Sequence, residues 1–271
     1  MASAEPIISI DHVRFGYTAT PVLDKVSVGL KPGALTVMVG PNAAGKTTLM
    51  KLMLGLVQPW SGKVQIEGRS VGVLSSMERA RRMSYVPQRP GVRFAFTVRQ
   101  VVAMGAHGHG RRSIGKRVDE AIEQAGLGDV ADRVMVELSG GQQQRVLLAR
   151  AELQLSFAGL AMLLDEPGSH LDLQHRHGMM RRLRALAESG LAVLVVLHEL
   201  DLAVRYAHEA WLLDSGRLAA AGPWDQVLTP EVLQPVYGLN LERINRGGAR
   251  PLLAVADATM AHAFPDSVPA D

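Results

Sequence analysis

The sequence contains no cysteine. That excludes a disulfide scaffold, a cysteine-ligated zinc cluster and a cysteine nucleophile, and it fits a reducing compartment. Aromatic residues make up only 4% of the 271 positions, so the core must be aliphatic. Long apolar runs are also missing. The longest unbroken one, Leu191 to Leu197, and the stretch Phe157 to Leu164 both fall far short of the roughly 20 residues a spanning helix needs. The N-terminal MASAEPIISIDHV lacks the basic region and apolar core of an export signal. The chain is therefore expected to stay in the cytoplasm and to reach any membrane through a partner. Charge is nearly balanced, with 29 Lys and Arg against 26 Asp and Glu. The pairs Arg81-Arg82, Arg111-Arg112 and Arg181-Arg182 are dispersed and lack interleaved aromatics. They read as solvated faces, with no nucleic-acid partner implied.

What is present is globular. A hydrophobic share of 47% with 20% charged residues excludes a disordered or collagen-like chain. Residues 7–14 alternate as an antiparallel strand does, and 34–39 are a short apolar strand ending at Gly40. A helix is predicted from Lys46 to about Leu56, before Gln58-Pro59. Strands follow at 63–67 and 83–86. From 97 to about 138 the pattern turns helical. VRQVVAMGA is followed by a loop, GHGRRS, and then an amphipathic helix with Val118, Ile122 and Ala125 on its apolar face. Residues 140–153 are helical, 160–164 a buried strand, 173–189 a charged helix and 191–197 a strand. All-apolar strands alternating with helices imply an α/β fold. Its sheet is mainly parallel and flanked by helices, with an N-terminal antiparallel β part and a helical insertion. One domain is expected over 1–245. Beyond Arg246 the drift to Gly, Ala and Pro suggests a loosely ordered tail over 246–271.

Three short segments carry chemistry. Gly40-Pro41-Asn42-Ala43-Ala44-Gly45-Lys46-Thr47 matches G-x-x-x-x-G-K-[ST], between an apolar strand and a helix. Such a loop aims successive backbone N–H groups at phosphate oxygens, and the helix N-terminus favours an anion. Lys46 would reach the β- and γ-phosphates and the Thr47 hydroxyl would hold Mg²⁺, with Thr48 beside them. The second segment, Ala161 to Glu166, is a buried strand delivering two carboxylates to its C-terminal end, where ligands bind in open α/β sheets. Asp165 suits a Mg²⁺ ligand and Glu166 a general base on water. Alone, such a pair reads equally as two solvated acids. Adjacent strand residues point to opposite sides, which would separate the two jobs. The third segment is Leu138-Ser139-Gly140-Gly141-Gln142, a capped helix start and a second anion device.

With LSGGQ lying between the other two segments, the chain resembles the ATP-binding subunit of ATP-binding cassette (ABC) transporters over about residues 7–245. The resemblance implies a P-loop NTPase fold, an ATPase activity and ATP with Mg²⁺ as ligands. It implies roles residue by residue. Tyr17 stacks on adenine. Gln88, in Tyr85-Val86-Pro87-Gln88, touches Mg²⁺ and faces the membrane partner. Asp172 is the D-loop aspartate, and His198 is the switch histidine at the γ-phosphate. Glu166, His198 and Lys46 would then be catalytic. The nucleotide would be held by Tyr17, Gly40 through Thr48, Gln88 and Asp172, and by Ser139, Gly140, Gly141 and Gln142 of a second copy. Thr47, Gln88 and Asp165 would hold the metal.

Two copies would sit head to tail around a two-fold axis as a homodimer. They would attach peripherally to integral permease subunits on the cytoplasmic face of the inner (plasma) membrane, and a substrate-binding protein would act indirectly. Three features depart from the family pattern. Ala43 stands where glycine is usual, Gly168 where Thr or Ser is common, and Glu152–Gly159 is an unusual lead-in to the strand. A positive φ at Ala43 would cost about 1–2 kcal/mol, and Gly168 is expected to loosen the turn after Glu166. The segments Phe96-Thr97-Val98, Val101–Gly105, Ser169–Leu173, His198–Ala203 and Gly222–Gly238 resemble importers of iron–siderophore, haem and cobalamin complexes. Importers of zinc or manganese, and soluble ABC ATPases acting on nucleic acid or the ribosome, are the alternatives. His107, His109, His175 and His177 are read as structural or solvated rather than as metal ligands.

Overall fold

The computed structural model describes residues 5–88, 95–107, 114–169, 171–247 and 249–256. The expected GHGRRS loop beyond His107, with His109 and Arg111-Arg112, lies outside the described residues, as do His170 and residues 257–271 of the predicted tail.

The first half of the chain gives β1 (Ile8–Phe15), β2 (Leu23–Leu30), β3 (Leu35–Val39), α1 (Lys46–Met53), β4 (Ser61–Ile66), β5 (Arg69–Ser70), α2 (Ser76–Arg82) and β6 (Met83–Val86). Next come α3 (Val98–Ala103), α4 (Ile114–Gln124), α5 (Gly140–Leu155), β7 (Ala161–Asp165), α6 (Leu173–Glu188), β8 (Ala192–Val196) and α7 (Leu200–Tyr206). The chain continues through β9 (Glu209–Asp214), β10 (Arg217–Pro223), α8 (Trp224–Val227), α9 (Pro230–Tyr237), β11 (Leu241–Arg246) and β12 (Ala249–Val255).

The expected architecture is present. A six-stranded sheet in the order β10-β9-β3-β8-β7-β6 is parallel except at β10, and a four-stranded sheet β2-β1-β4-β5 is antiparallel. β3, β7 and β8 are buried along their whole length. Their residues alternate between two cores. Val37, Leu164 and Val195 face the helical core with α5 and α6, while Met38, Leu163 and Leu194 face α1 and the antiparallel sheet. A strand covered on both faces needs an unbroken aliphatic sequence, which is why these segments read as apolar runs.

The helical insertion closes at its own base. Thr97 bridges Val134, and Met135 N donates to Phe96 O at 2.8 Å. α3 and α4 pack on α5, burying Val98, Val101, Val102, Val118 and Ile122.

Most boundaries fall within one or two residues of the sequence reading, and three differences have a clear physical reason. α1 ends at Met53, ahead of the proline, because Gly55 takes φ 66° and Leu56 N bonds back to Lys51 O at 2.9 Å. This is a glycine-terminated helix end. The strand read at 63–67 spans 61–66, and Glu67 and Gly68, both at positive φ, turn it into β5. The loosely ordered tail is corrected for 249–255. β12 pairs antiparallel with β11, and Arg250 fastens it by donating from Nη1 to Val204 O at 2.9 Å and Ala207 O at 2.7 Å. The Arg250 guanidinium also stacks 4.3 Å over Trp224. Composition registered the Gly and Ala but could not anticipate that one arginine would satisfy the last carbonyls of α7.

Candidate nucleotide site

The loop after β3 is shaped by residues without room for side chains. A Cβ on Gly40 would lie 2.0 Å from Leu213 O, and one on Gly45 2.7 Å from Leu23 Cδ2. Both take positive φ, and Gly45 caps α1 without a side-chain hydrogen bond. The first N–H groups of α1 are therefore free of an internal cap and favour an anion. Ala43 takes φ 62°, the strained conformation that the sequence comparison raised. Its Cβ is exposed. Lys46 is buried, and its Nζ donates to Gly40 O at 2.7 Å and Pro41 O at 2.8 Å. Burial pushes the Lys46 ammonium pKa down, against the attraction of Glu166 and Asp165. Thr48 is buried, whereas Thr47 is exposed.

β7 delivers Asp165 beneath this loop. Thr47 Oγ1 donates to Asp165 Oδ2 at 2.9 Å. Burial raises the Asp165 pKa. The Thr47 hydrogen bond and the two lysines counter it, while the neighbouring Glu166 charge adds to it. Glu166 does not continue the strand. It takes φ 44°, and this departure, rather than strand alternation, parts the two carboxylates. A non-glycine residue held there costs on the order of 1 kcal/mol. The Glu166 carboxylate lies between two segments. Gln88 Nε2 donates to one oxygen at 2.5 Å, and His198 Nε2 lies 2.5 Å from the other. His198 follows β8 and is 44% exposed in its side chain, against 19% for Glu166.

Tyr17 is 57% exposed, an open ring face at the rim. Phe15 holds it edge-on at 5.1 Å, and Lys51 Nζ donates to its hydroxyl at 3.3 Å. Burial raises the Tyr17 pKa, but hydrogen bonds with Thr48 and Lys51 outweigh it and lower the group overall.

Gly40–Thr48, Gln88, Asp165, Glu166 and His198 thus gather at the C-terminal ends of the parallel strands. Ser139 to Gln142 do not join them. Ser139 Oγ accepts from Gln142 N at 3.3 Å, and Gln142 Oε1 accepts from Ser139 N at 3.0 Å, capping α5 on an exposed surface. Among the described residues no hydrogen bond or ion pair links this cap to the phosphate loop. Asp172 likewise caps α6, accepting from His175 N and lying 2.8 Å from His175 Nδ1. His177 Nδ1 lies 2.9 Å from the Tyr206 hydroxyl, so both histidines have structural partners.

Sequence reasoning passed over Lys51 and Arg150. Arg150 Nη2 donates to Tyr85 O at 2.8 Å and braces the strand leading to Gln88. Burial lowers the Arg150 guanidinium pKa. Its signal was an arginine on the helix face shared by Val146 and Leu153. Glu152 is held by Arg182, and Gln154 Nε2 donates to Ala80 O at 2.7 Å and Met83 O at 2.9 Å. The unusual lead-in thus anchors α5 to the start of β6.

A glycine-rich loop at a helix start, a buried lysine, and carboxylates closing a parallel strand two places along the same sheet define a P-loop nucleotide-binding ATPase. The family model described as ABC transporter matches residues 23–169. The chain is 40% identical to the hemin import ATP-binding protein HmuV of Pseudomonas entomophila, covering 85% of this chain and 91% of that one. It is 43% identical to the cobalamin import ATP-binding protein BtuD of Halobacterium salinarum, covering 80% of this chain and 55% of that one. A solved inward-facing metal-chelate type ABC transporter superposes with a TM-score of 0.78 at 25% identity, covering 92% of this chain and 97% of that chain. The chain belongs to the ABC transporter family, and it is an ATP-binding ATPase subunit of that family. Among the described residues, no helix is long and apolar enough to cross a membrane.

Proposed function

We propose that this chain drives import of an iron–siderophore, haem or cobalamin complex by binding and hydrolysing ATP in a homodimer under a membrane permease. The observation that carries the hydrolytic reading is Glu166, held between Gln88 and His198 beside the phosphate loop. The backbone of Gly40 to Gly45 and the Lys46 ammonium hold the phosphates, with Pro41, Asn42, Ala43 and Ala44 completing the loop and Thr48 supporting it. Tyr17 offers its ring to the adenine. Glu166 takes the proton from the attacking water, and His198 orients the carboxylate and meets the γ-phosphate.

Mg²⁺ fits the oxygen donors here. Thr47 Oγ1 and Asp165 Oδ2 are 2.9 Å apart, and a buried carboxylate favours a cation. Thr47 and Asp165 would hold it, with Gln88 near. Bound there, it would neutralise phosphate charge.

The exposed cap of α5, which no hydrogen bond or ion pair among the described residues ties to the chain's own loop, supports a composite site. In it, Ser139, Gly140, Gly141 and Gln142 of one copy cover the phosphates held by the other, with Asp172 at the seam. Import, the permease and the substrate-binding protein rest on the relatives named for hemin and cobalamin import, as does a peripheral place on the cytoplasmic face of the membrane. The ATP-binding domain spans about 1–245 with its insertion at 97–138, and no nucleic acid takes part.

Glu166→Gln tests this reading. It should bind ATP yet lose turnover by roughly 10²-fold or more. Tagged and purified from detergent-solubilised membranes, the chain should carry a stoichiometric, multi-spanning partner. Full turnover in Glu166→Gln removes the general base, and a chain recovered with ribosomes or nucleic acid removes the importer.

A further inference from the structure

Two loops carry the pair at the centre of the site. One follows β7 from Glu166 to Ser169, with Leu171 ahead of α6, and the other runs from Leu197 to Glu199 before α7. Loops hold a catalytic geometry only when something ties them. Arg176, in the second turn of α6, touches both. Its Nη1 donates to Glu199 Oε1 at 2.8 Å and its Nη2 donates to Leu171 O at 3.1 Å. Glu199 is the residue after His198 and stands at the N-cap of α7, yet its carboxylate makes no capping hydrogen bond. It is given to Arg176 instead.

Gly168 completes the arrangement. Its φ is not in the left-handed range, so the turn does not need glycine for backbone reasons. The need is room. A Cβ at 168 would sit 3.2 Å from Arg176 Cγ and 3.5 Å from Cδ, a tight contact in which the arginine stem would have to give by a few tenths of an ångström. The glycine that sequence reading took as loosening this turn is the place where the turn accepts its brace.

We propose that Arg176 is a positioning residue for ATP hydrolysis. It braces the turn after Glu166 against Glu199, keeps His198 in register with the Glu166 carboxylate, and packs its stem against the open side of Gly168. This rests on the hydrolytic roles given above to Glu166 and His198. The planar guanidinium fork suits the task because it meets a carboxylate and a carbonyl together, which a lysine point charge does less well.

The test is steady-state ATPase kinetics of the full chain across ATP concentration, with mant-ATP binding measured in parallel. The variants are Arg176→Gln, Arg176→Lys, Glu199→Gln, Gly168→Thr and the double variant Arg176→Gln/Glu199→Gln. Arg176→Gln should lower kcat about tenfold with KM and mant-ATP affinity within about twofold, because a displaced group costs rate rather than binding. Arg176→Lys should restore part of kcat. Glu199→Gln and Gly168→Thr should each show the same kcat-selective loss, and the double variant should be no worse than the worse single. If Arg176→Gln does not fold, Glu199→Gln and Gly168→Thr decide the matter.

Wild-type kcat in these variants beside an inactive Glu166→Gln overturns the positioning role and leaves the proposed reaction standing. Wild-type kcat in Glu166→Gln overturns both. A kcat loss matched by an equal loss of mant-ATP binding overturns the positioning role, because it marks general disruption.

Discussion

Ala43 and Glu166 are both held at positive φ, at 62° and 44°, where a side chain is disfavoured. Each sits in the site, and the two strains have different standing. Glu166 cannot be replaced by glycine without losing the carboxylate that Gln88 and His198 hold. The Ala43 side chain is exposed. Ala43→Gly should therefore raise unfolding stability by up to about 1 kcal/mol, the left-handed penalty less the extra chain entropy glycine loses on folding, with Glu166 left in place. Urea denaturation of the nucleotide-free chain checks this, and an unchanged or lower midpoint contradicts it. Asp165 carries a burden of another kind. Burial raises its pKa, so the ionised form works against folding at neutral pH. The carboxylate proposed to hold Mg²⁺ is kept at some cost to the nucleotide-free protein.

Helix ends do much of the positioning at the scale of the element. Ser139 with Gln142, Thr97 with Gln100 and Ser75 with Glu78 are three reciprocal capping boxes, each worth about 1 kcal/mol. All three follow the S/T-x-x-E/Q pattern, so they were legible in the sequence. The box on α2 has a measurable pH signature. Hydrogen bonds from the Ser75 backbone and hydroxyl, with Arg69 beside them, hold the Glu78 carboxyl down at about 2, against an ordinary 4.5. A depressed carboxylate stabilises the fold above its unfolded pKa and loses that contribution as pH falls through the folded one. Stability should thus decline between about pH 4.5 and about pH 2 more steeply in the native chain than in Glu78→Gln. Urea midpoints across that range test the slope, and equal slopes would contradict the assignment. Helix α1 shows the limit of such reading. Proline was the visible stop, but Gly55 ends the helix first.

On the scale of the whole molecule, the phosphate loop and the α5 cap belong to different layers. The loop joins β3 to α1, whose buried face lies in the core shared with the antiparallel sheet. The cap stands at the end of the helical layer, beside α3 and α4. The proposed two-copy site would use that separation, with the exposed helix end of one copy covering the phosphate loop of the other. In a Glu166→Gln background, Ser139→Arg should bind ATP as the parent does but fail to form the ATP-dependent dimer. Size-exclusion chromatography with and without ATP reads this directly, and a dimer of parental strength would contradict the composite site.

The sequence by itself determined the alternation of strand and helix, the buried parallel strands and the chemical segments. Each is encoded within a few residues: a period of two or 3.6, a glycine-rich turn, a carboxylate at a strand end. Only the tertiary structure decided which segments meet. Thr47 reaches Asp165 across 118 positions, Gln88 reaches Glu166 across 78, and His198 reaches Glu166 across 32. The hydrogen bonds of Arg176 to Leu171 and Glu199, and the fastening of β12 by Arg250, belong to the same category. Local spacing fixes what a segment can do. Which partner it meets depends on how the layers pack, and no periodicity records that.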